Sequence, residues 1–245
     1  MSHLHIPDGV LPPLLWIAGL AICALALFFL TRETAHGHGA HAHAAHLAGP
    51  RAIALQSALG GIMLVVMAVP LPITLFDYCM TLAGPVGVLL GGAAAFQVCF
   101  IVTLILALMG QGGFTVIGLN TLVLGAGAAL ARPVYLRTLG ALRPAGAMAA
   151  ATAVSQLFSS LLWVGLLWLS VRMSPSMSGD QAVAHELRWL QGGILLGVLL
   201  PLLALAVGVE SLLGYGLAGF LDRVRPDLLP RGADRASVAA EAARP

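Results

Sequence analysis

The sequence predicts an all-α, polytopic membrane protein: a bundle of about seven transmembrane helices. Of its 245 residues, 59% are hydrophobic and only 9% are charged, whereas a soluble domain carries about 25% charged residues. Several apolar stretches approach the roughly 20 residues that a helix needs to cross the hydrocarbon core of a bilayer. The net charge is only +2, and no basic patch points to nucleic acid as a partner. We therefore expect residues 1–221 to form one transmembrane domain in contact with membrane lipid.

Five stretches are long enough and apolar enough to form membrane-spanning helices: residues 11–30, 52–69, 114–130, 145–171 and 192–220. A further stretch, residues 79–109, is too long for one helix, and the pair Gly91-Gly92 predicts a break within it. With the break the chain crosses the membrane seven times, and without it six times. A first half as short as residues 79–90 cannot span lipid alone, so it must be buried by neighbouring helices.

The placement of arginine favours seven crossings. The chain has no lysine, and cytoplasmic loops carry an excess of positive residues. Seven crossings with the N-terminus outside put more arginines in cytoplasmic segments than six crossings with the N-terminus inside. Arg132, Arg137 and Arg143 are assigned to one such segment, after the central helices. Both alternatives leave the polar residues 222–245 in the cytoplasm, where we expect a partly disordered tail.

The N-terminal residues form a pattern that can bind a metal ion. Ser2 is small, so we expect removal of Met1, which leaves a free amine on Ser2 and an imidazole on His3. The amine, a backbone amide nitrogen and the imidazole together chelate one ion, and square-planar nitrogen coordination suits Ni(II) or Cu(II). Further along, Pro7-Asp8-Gly9 predicts a tight turn that folds the chain end towards the helices.

Two segments resemble the CbiM/NikM family, the cobalt- or nickel-binding membrane subunits of energy-coupling-factor uptake transporters. They are the pentapeptide His-Ile-Pro-Asp-Gly at residues 5–9 and the pattern Gly-Gly-x-Thr-x-x-Gly-x-Asn at residues 112–120. The family histidine is the second residue and ligates the metal, whereas the matching His5 is the fifth residue here. Two alternatives follow: processing makes His3 the second residue and the chelating ligand, or His5 binds through its side chain alone, with His3 or the terminal amine assisting.

The resemblance also implies a ligand from the interior of the chain. The family has a second metal-binding histidine some twelve residues before a Gly-Pro pair, and aligning that pair with Gly91-Gly92 puts Cys79 at the position of the histidine. Cys79 is therefore the candidate substitute, with Asp77 or Met80 as a helper. A thiolate is softer than an imidazole and favours Cu(I), Zn(II) or an altered cobalt or nickel site. The alternative is that Cys79 is a small buried hydrophobic residue.

Polar residues around this site are expected to support the ligands. Thr115 and Asn120 enter an apolar segment, where they must find hydrogen-bond partners. We expect these two residues and Asp8 to support the bound N-terminal segment. Ordinary hydrogen bonding between helices is the other interpretation. Gly112-Gly113 permits a sharp turn before them. Glu210, deep in the last apolar stretch, is interpreted as a packing or coupling residue rather than a ligand.

The loop at residues 31–51 is rich in histidine. Such tracts bind metal ions flexibly and without selectivity, and the loop would face the cytoplasm with seven crossings or the outside with six. A flexible linker without a metal role is the alternative. The histidines are His36, His38, His41, His43 and His46.

No phosphate-binding loop, His-Glu-x-x-His motif or nucleophile elbow occurs in the sequence. We therefore expect no enzyme activity and no catalytic cofactor, with Co²⁺ or Ni²⁺ as the transported substrate. The resemblance implies three partners in a bacterial cytoplasmic membrane: a transmembrane coupling subunit, cytoplasmic ATPase subunits and, as a further candidate, a small accessory membrane subunit. The rival hypothesis is a sensing or assembly protein that binds metal without transporting it.

Overall fold

The computed structural model describes residues 11–35, 50–69, 71–73, 76–173 and 200–230 of the chain. These residues form seven helices, a two-stranded antiparallel hairpin and a short 3₁₀ helix at Pro226–Leu228. The helices are α1 (Pro13–Ala35), α2 (Pro50–Ala68), α3 (Ala83–Leu90), α4 (Gly92–Leu108), α5 (Ile117–Thr138), α6 (Pro144–Met173) and α7 (Leu200–Val224), and the strands are β1 (Leu71–Ile73) and β2 (Phe76–Tyr78). The predicted helical bundle is confirmed, and the hairpin between α2 and α3 is an addition that the sequence did not predict.

Five of the helices are long and apolar enough to cross a membrane: α1, α2, α5, α6 and α7. They correspond to the five predicted stretches, with ends that differ by up to eight residues. Leu14, Ile62 and Leu212 are examples of large apolar side chains that point outward from these helices. Apolar side chains exposed along whole helices indicate a lipid environment, because contact of apolar surface with lipid is favourable and contact with water is not. The protein is an integral membrane protein.

Helix α5 lies at the centre of the bundle and contacts α1, α3, α4 and α6. Glycines allow two of these close approaches. A Cβ atom on Gly87 of α3 would collide with the carbonyl oxygen of Ala128 in α5, and one on Gly127 of α5 would collide with the hydroxyl of Ser159 in α6. Small residues at helix contacts are typical of membrane proteins, where close backbone approach supplies the packing energy.

The predicted break at Gly91-Gly92 is confirmed. Gly91 lies between α3 and α4 with φ 82° and ψ 166°, a backbone conformation that side chains with a Cβ rarely adopt. The short helix α3 is buried along nearly its whole length, as the prediction for a short apolar piece required. This piece was expected to begin at Cys79, but its helix begins only at Ala83. Leu82, with φ 52°, precedes it in the left-handed conformation, so the residues from Cys79 to Leu82 form a loop.

Helices α2 and α4 run in the same direction. Near their starts, Nε2 of Gln56 donates to the carbonyl oxygen of Ala94 at 3.4 Å and to Oε1 of Gln97 at 3.3 Å. Near their ends, Nε2 of Gln111 donates to the carbonyl oxygen of Ala68 at 3.1 Å. The segment between α2 and α4 therefore has to bring the chain back from one end of these helices to the other. The hairpin, the loop and α3 together make that return.

The arginine assignment needs one correction. Arg132 and Arg137 were expected in a loop, but α5 continues to Thr138 and contains both residues. Arg137 lies in the last turn of α5, where the helix dipole stabilises a cation, and the long stem of an arginine lets its charged end reach water.

Helix α7 extends to Val224, three residues beyond the predicted boundary at residue 221. After it, Arg225 donates hydrogen bonds to both carboxylate oxygens of Asp227, at 3.0 and 2.9 Å. These bonds, with the charge of Asp227, raise the pKa of Arg225. Leu229 is buried against Tyr135 and other residues of the bundle. Residues up to 230 therefore pack on the bundle, and residues 231–245 lie outside the described part of the chain.

Candidate metal site

Most of the predicted metal ligands lie outside the described residues. These are Ser2, His3 and His5, their predicted support Asp8, and the loop histidines His36, His38, His41, His43 and His46. Their roles stay predictions. The first described residue, Leu11, is buried and packs with Val116 and Leu119. The N-terminal segment therefore joins the bundle beside the start of α5.

The segment between α4 and α5 forms the predicted turn. Gly110 and Gly112 both have positive φ angles, 78° and 112°, which glycine adopts at no steric cost. Thr115 is exposed, whereas Asn120 is buried in the first turn of α5, where its backbone N–H donates to the carbonyl oxygen of Val116 at 2.9 Å. Asn120 thus has the buried position that a supporting residue needs, while the support that it and Thr115 give to bound ligands stays a prediction.

The hairpin leads the chain to Cys79. Asp77 lies in β2 and pairs with Pro72 of β1, and Cys79 follows the strand with 6% of its surface exposed. Among the described residues no group of three or more His, Cys, Asp or Glu side chains is placed to hold a metal ion. Cys79 and Asp77 therefore stay predicted ligands, and Ser2, His3 and His5, the other predicted ligands, lie outside the described residues.

Thr81, two residues beyond Cys79, is hydrogen-bonded to a buried carboxylate. Glu210 of α7 is 0% exposed. Its Oε1 accepts a hydrogen bond of 2.8 Å from the backbone N–H of Thr81. The Thr81 hydroxyl lies 3.2 Å from Oε1 and 3.0 Å from Oε2 of the same carboxylate. These bonds connect α7 to the loop before α3 across 129 positions of sequence.

A third residue completes this group. The side chain of Gln156 in α6 is 2% exposed, and its Oε1 lies 3.3 Å from the hydroxyl of Thr81. Thr81, Gln156 and Glu210 will be called the inner polar cluster. Three elements meet in it: the loop before α3, helix α6 and helix α7. Polar and ionisable groups at membrane depth are expensive to bury and therefore indicate a functional site.

Glu210 was interpreted from the sequence as a packing or coupling residue, whereas Thr81 and Gln156 were not predicted to have a role. Gln156 carried a usable signal, because Ser155-Gln156 and Ser159-Ser160 interrupt an otherwise apolar stretch. These polar residues are all buried, as expected when the polar face of a membrane helix packs against its neighbours. Thr81 carried no such signal, since an isolated threonine after Cys79 and Met80 is unremarkable.

A second polar contact lies between α4 and α5. The hydroxyls of Thr103 and Thr121 are 2.8 Å apart, and Thr103 donates to the carbonyl oxygen of Cys99 at 2.8 Å. Thr103 and Thr121 will be called the threonine pair. It is an ordinary hydrogen bond between membrane helices.

A helical bundle with apolar outer faces, an apolar core and a buried carboxylate between its helices is an integral membrane protein with a local polar cluster inside it. The family model for CbiM, described as the cobalt uptake substrate-specific transmembrane region, matches residues 5–228 of the chain. The chain belongs to this family and is a membrane component of cobalt uptake. No curated protein matches it.

Proposed function

We propose that the chain is the substrate-binding subunit of an energy-coupling-factor transporter that imports Co²⁺ across a bacterial cytoplasmic membrane. Ni²⁺ is the alternative substrate. The observation that carries the proposal is the match to the cobalt-uptake family from residue 5 to residue 228, because it begins at His5 and runs through Cys79. Burial of Cys79 supports it, since a transported ion has to be withdrawn from water to be bound selectively.

The proposed topology has seven crossings, with the N-terminus outside and the C-terminus in the cytoplasm. The same direction of α2 and α4 supports it, because the chain between them must then return. The hairpin, the loop and α3 would form this third crossing. A segment that is only partly helical can lie at membrane depth when other helices bury it, and α3 is buried in this way.

The proposed capture step uses ligands from the N-terminal segment and from the interior of the bundle. The N-terminal segment would close over the ion from outside, with the Ser2 amine and either His3 or His5 as ligands. Cys79 would bind from the interior, assisted by Asp77. Ten residues precede Leu11, and extended chain spans about 3.3 Å per residue, so the segment is long enough to fold back over the bundle. Reorientation driven by partner ATPases would then release the ion inside.

The chain itself is proposed to hydrolyse nothing. A transmembrane coupling subunit and cytoplasmic ATPase subunits would supply the energy, with a small accessory membrane subunit as a further partner. Exposed apolar faces on α1, α2 and α7 leave room for such contacts as well as for lipid. With seven crossings the histidine-rich loop at residues 31–51 would lie in the cytoplasm, where it would receive released metal.

Metal binding to the purified full-length protein tests the capture step. Co²⁺ and Ni²⁺ affinities would be measured for the wild type, His3→Ala, His5→Ala and Cys79→Ala, with the N-terminus identified by mass spectrometry. Cys99→Ala is the matched control, because Cys99 is also buried but lies in the apolar core around α4. We expect Cys79→Ala and one of the histidine variants to lose tight binding, and Cys99→Ala to retain it. Binding that survives both Cys79→Ala and a double His3/His5 variant contradicts the proposed site.

Metal accumulation tests transport itself. Cells that express the chain together with its ATPase and coupling partners should accumulate Co²⁺, and Cys79→Ala should reduce the accumulation while Cys99→Ala does not. Tight binding without any accumulation would favour the rival function, a metal-binding sensor or assembly protein.

A further inference from the structure

The loop from Cys79 to Leu82, before α3, has a backbone shape that needs support from its surroundings. Leu82 has φ 52° and ψ 16°, the left-handed conformation, which is an outlier for a bulky residue. A residue in such a conformation persists only where the contacts around it hold it in place. Helix α3 begins directly after Leu82. The place of Cys79 at the other end of the loop therefore depends on what holds the loop.

Glu210 holds the loop through Thr81. Its Oε1 accepts the backbone N–H of Thr81 at 2.8 Å, and the Thr81 hydroxyl lies 3.2 Å from Oε1 and 3.0 Å from Oε2. The carboxylate thus contacts both the backbone and the side chain of one buried loop residue. The Thr81 hydroxyl oxygen also accepts the backbone N–H of Ala83 at 3.3 Å, so the bonding reaches the first residue of α3. Hydrogen bonds to a carboxylate are stronger than those between neutral groups.

The helices that carry these bonds are fixed against each other. One turn beyond Glu210 in α7, a Cβ atom on Gly214 would lie 2.6 Å from Oγ1 of Thr152 in α6. In α3, a Cβ atom on Gly84 would lie 2.6 Å from Cα of the same Thr152. Helices α3 and α7 therefore both pack closely on one residue of α6, because glycine permits the approach. The carboxylate is thus carried by a rigid element, as a group that positions another residue has to be.

We propose that Glu210 is a positioning residue for the metal site: by holding Thr81, it fixes the loop and with it the Cys79 thiol. Two residues of extended chain span no more than about 7 Å, so Cys79 stays close to Thr81 while the bonds to Glu210 are made. Residues that hold a metal ligand in place affect binding without touching the ion, and Glu210 acts in this way. The role of Cys79 as a ligand rests on the proposed function.

The first test measures the hold on Cys79 without any metal. Cys23, Cys79 and Cys99 are all buried and free of disulfides, so the full-length chain with Cys23→Ala and Cys99→Ala, called the parent, keeps one thiol. The rate at which N-ethylmaleimide alkylates this thiol in detergent would be followed by mass spectrometry, well below the unfolding temperature.

The substitutions in the parent separate the hold on the loop from overall stability. Glu210→Met removes both acceptor oxygens, and Glu210→Gln keeps one. Thr81→Val removes the hydroxyl, and Thr81→Ser keeps it. Gly125→Ala is the control for stability, because its Cβ would collide with Phe96 between α4 and α5, two helices that take no part in the inner polar cluster.

We expect Glu210→Met to raise the alkylation rate by at least about tenfold, because the loop loses hydrogen bonds to a carboxylate that oppose its opening. Glu210→Gln and Thr81→Val should have smaller effects, since each leaves an acceptor oxygen for the backbone N–H of residue 81. Thr81→Ser should behave like the parent. Gly125→Ala should lower the unfolding temperature with little change in the alkylation rate.

The second test measures Co²⁺ binding to the same proteins. A cobalt–thiolate charge-transfer band in the near ultraviolet reports binding by Cys79, the one thiol present, and Cys79→Ala provides the baseline. Glu210→Met should weaken Co²⁺ binding at this site about tenfold to a hundredfold, the range for loss of a group that supports a ligand. Gly125→Ala should retain the band and the affinity. The histidine-rich loop is present in every variant, so its own binding is common to all of them.

Three results would overturn the proposal. Glu210→Met could be alkylated as slowly as the parent. Gly125→Ala could raise the rate as much as Glu210→Met does, which would make the effect one of overall stability. Glu210→Met could also speed alkylation and leave the cobalt–thiolate band and the affinity unchanged, which would mean that the metal site does not need the loop to be held.

Failure of the proposed function gives a different result. A parent that binds Co²⁺ without a thiolate band would contradict the capture role of Cys79, and the hold of Glu210 on the loop would then stand or fall on the alkylation rates alone. If Glu210→Met does not fold, Glu210→Gln and the two Thr81 variants supply the same comparison with smaller effects.

Discussion

The threonine pair and the inner polar cluster are both polar contacts inside an apolar bundle, and they differ in charge and in the number of elements that they join. In the threonine pair, two neutral hydroxyls on α4 and α5 lie 2.8 Å apart and either can donate, and the Thr103 hydroxyl also reaches the carbonyl oxygens of Cys99 and Phe100 in its own helix. In the inner polar cluster, one hydroxyl faces three acceptor oxygens, and an amide nitrogen nearby has no partner in the described residues. The threonine pair holds two helices together through neutral groups, whereas the inner polar cluster holds a buried carboxylate among a loop and two helices.

The largest expected effect comes from forcing α3 away from α5. Gly87→Val should destabilise the protein strongly, because the new side chain would collide with the backbone of Ala128, and overpacking costs about 1–3 kcal/mol or more. Thermal unfolding in detergent measures the change. Gly61→Ala is the control, since no atom lies within 4 Å of its added Cβ, and alanine in place of glycine stabilises a helix by up to about 1 kcal/mol. Equal unfolding temperatures for the two variants would contradict the close contact of α3 with α5.

A double-mutant cycle between Thr81 and Glu210 should give the next largest effect. The variants are Thr81→Val, Glu210→Gln and their combination. Because the bonds involve a carboxylate shielded from water, we expect a coupling free energy of about 1.5–3 kcal/mol. Metal-free protein is required, so that binding does not add to stability. Additive single effects would mean that the two side chains do not interact as described.

The same cycle on the threonine pair should give the smallest effect. Thr103→Val, Thr121→Val and their combination test one neutral hydrogen bond, and such bonds between membrane helices average about 0.6 kcal/mol. Thr138→Val is the control, because its hydroxyl bonds only to carbonyl oxygens of its own helix, Val134 and Tyr135. A coupling free energy as large as that between Thr81 and Glu210 would remove the distinction between the two contacts.

Hydropathy and glycine placement were sufficient for much of the fold. Five spanning helices, the break at Gly91 and the glycine turn after α4 were all predicted, because the length of an apolar stretch and the conformational freedom of glycine are local properties. The family was also recognisable from short patterns at residues 5–9 and 112–120, and the match over residues 5–228 confirms it. The N-terminal ligands and the histidine loop stay predictions, since they lie outside the described residues.

Only the tertiary structure decided what meets inside the bundle. The loop from Cys79 to Leu82 was expected to be helical, and its left-handed residue Leu82 gave no signal in the sequence. Arg132 was assigned to a loop because a charged residue was expected to lie beyond the end of the membrane-spanning helix rather than inside a longer one. The inner polar cluster joins residues up to 129 positions apart, which no local pattern can predict. Its geometry depends on the rotation of α6 and α7 about their axes, and in an apolar medium that rotation is set by close packing between helices rather than by hydropathy.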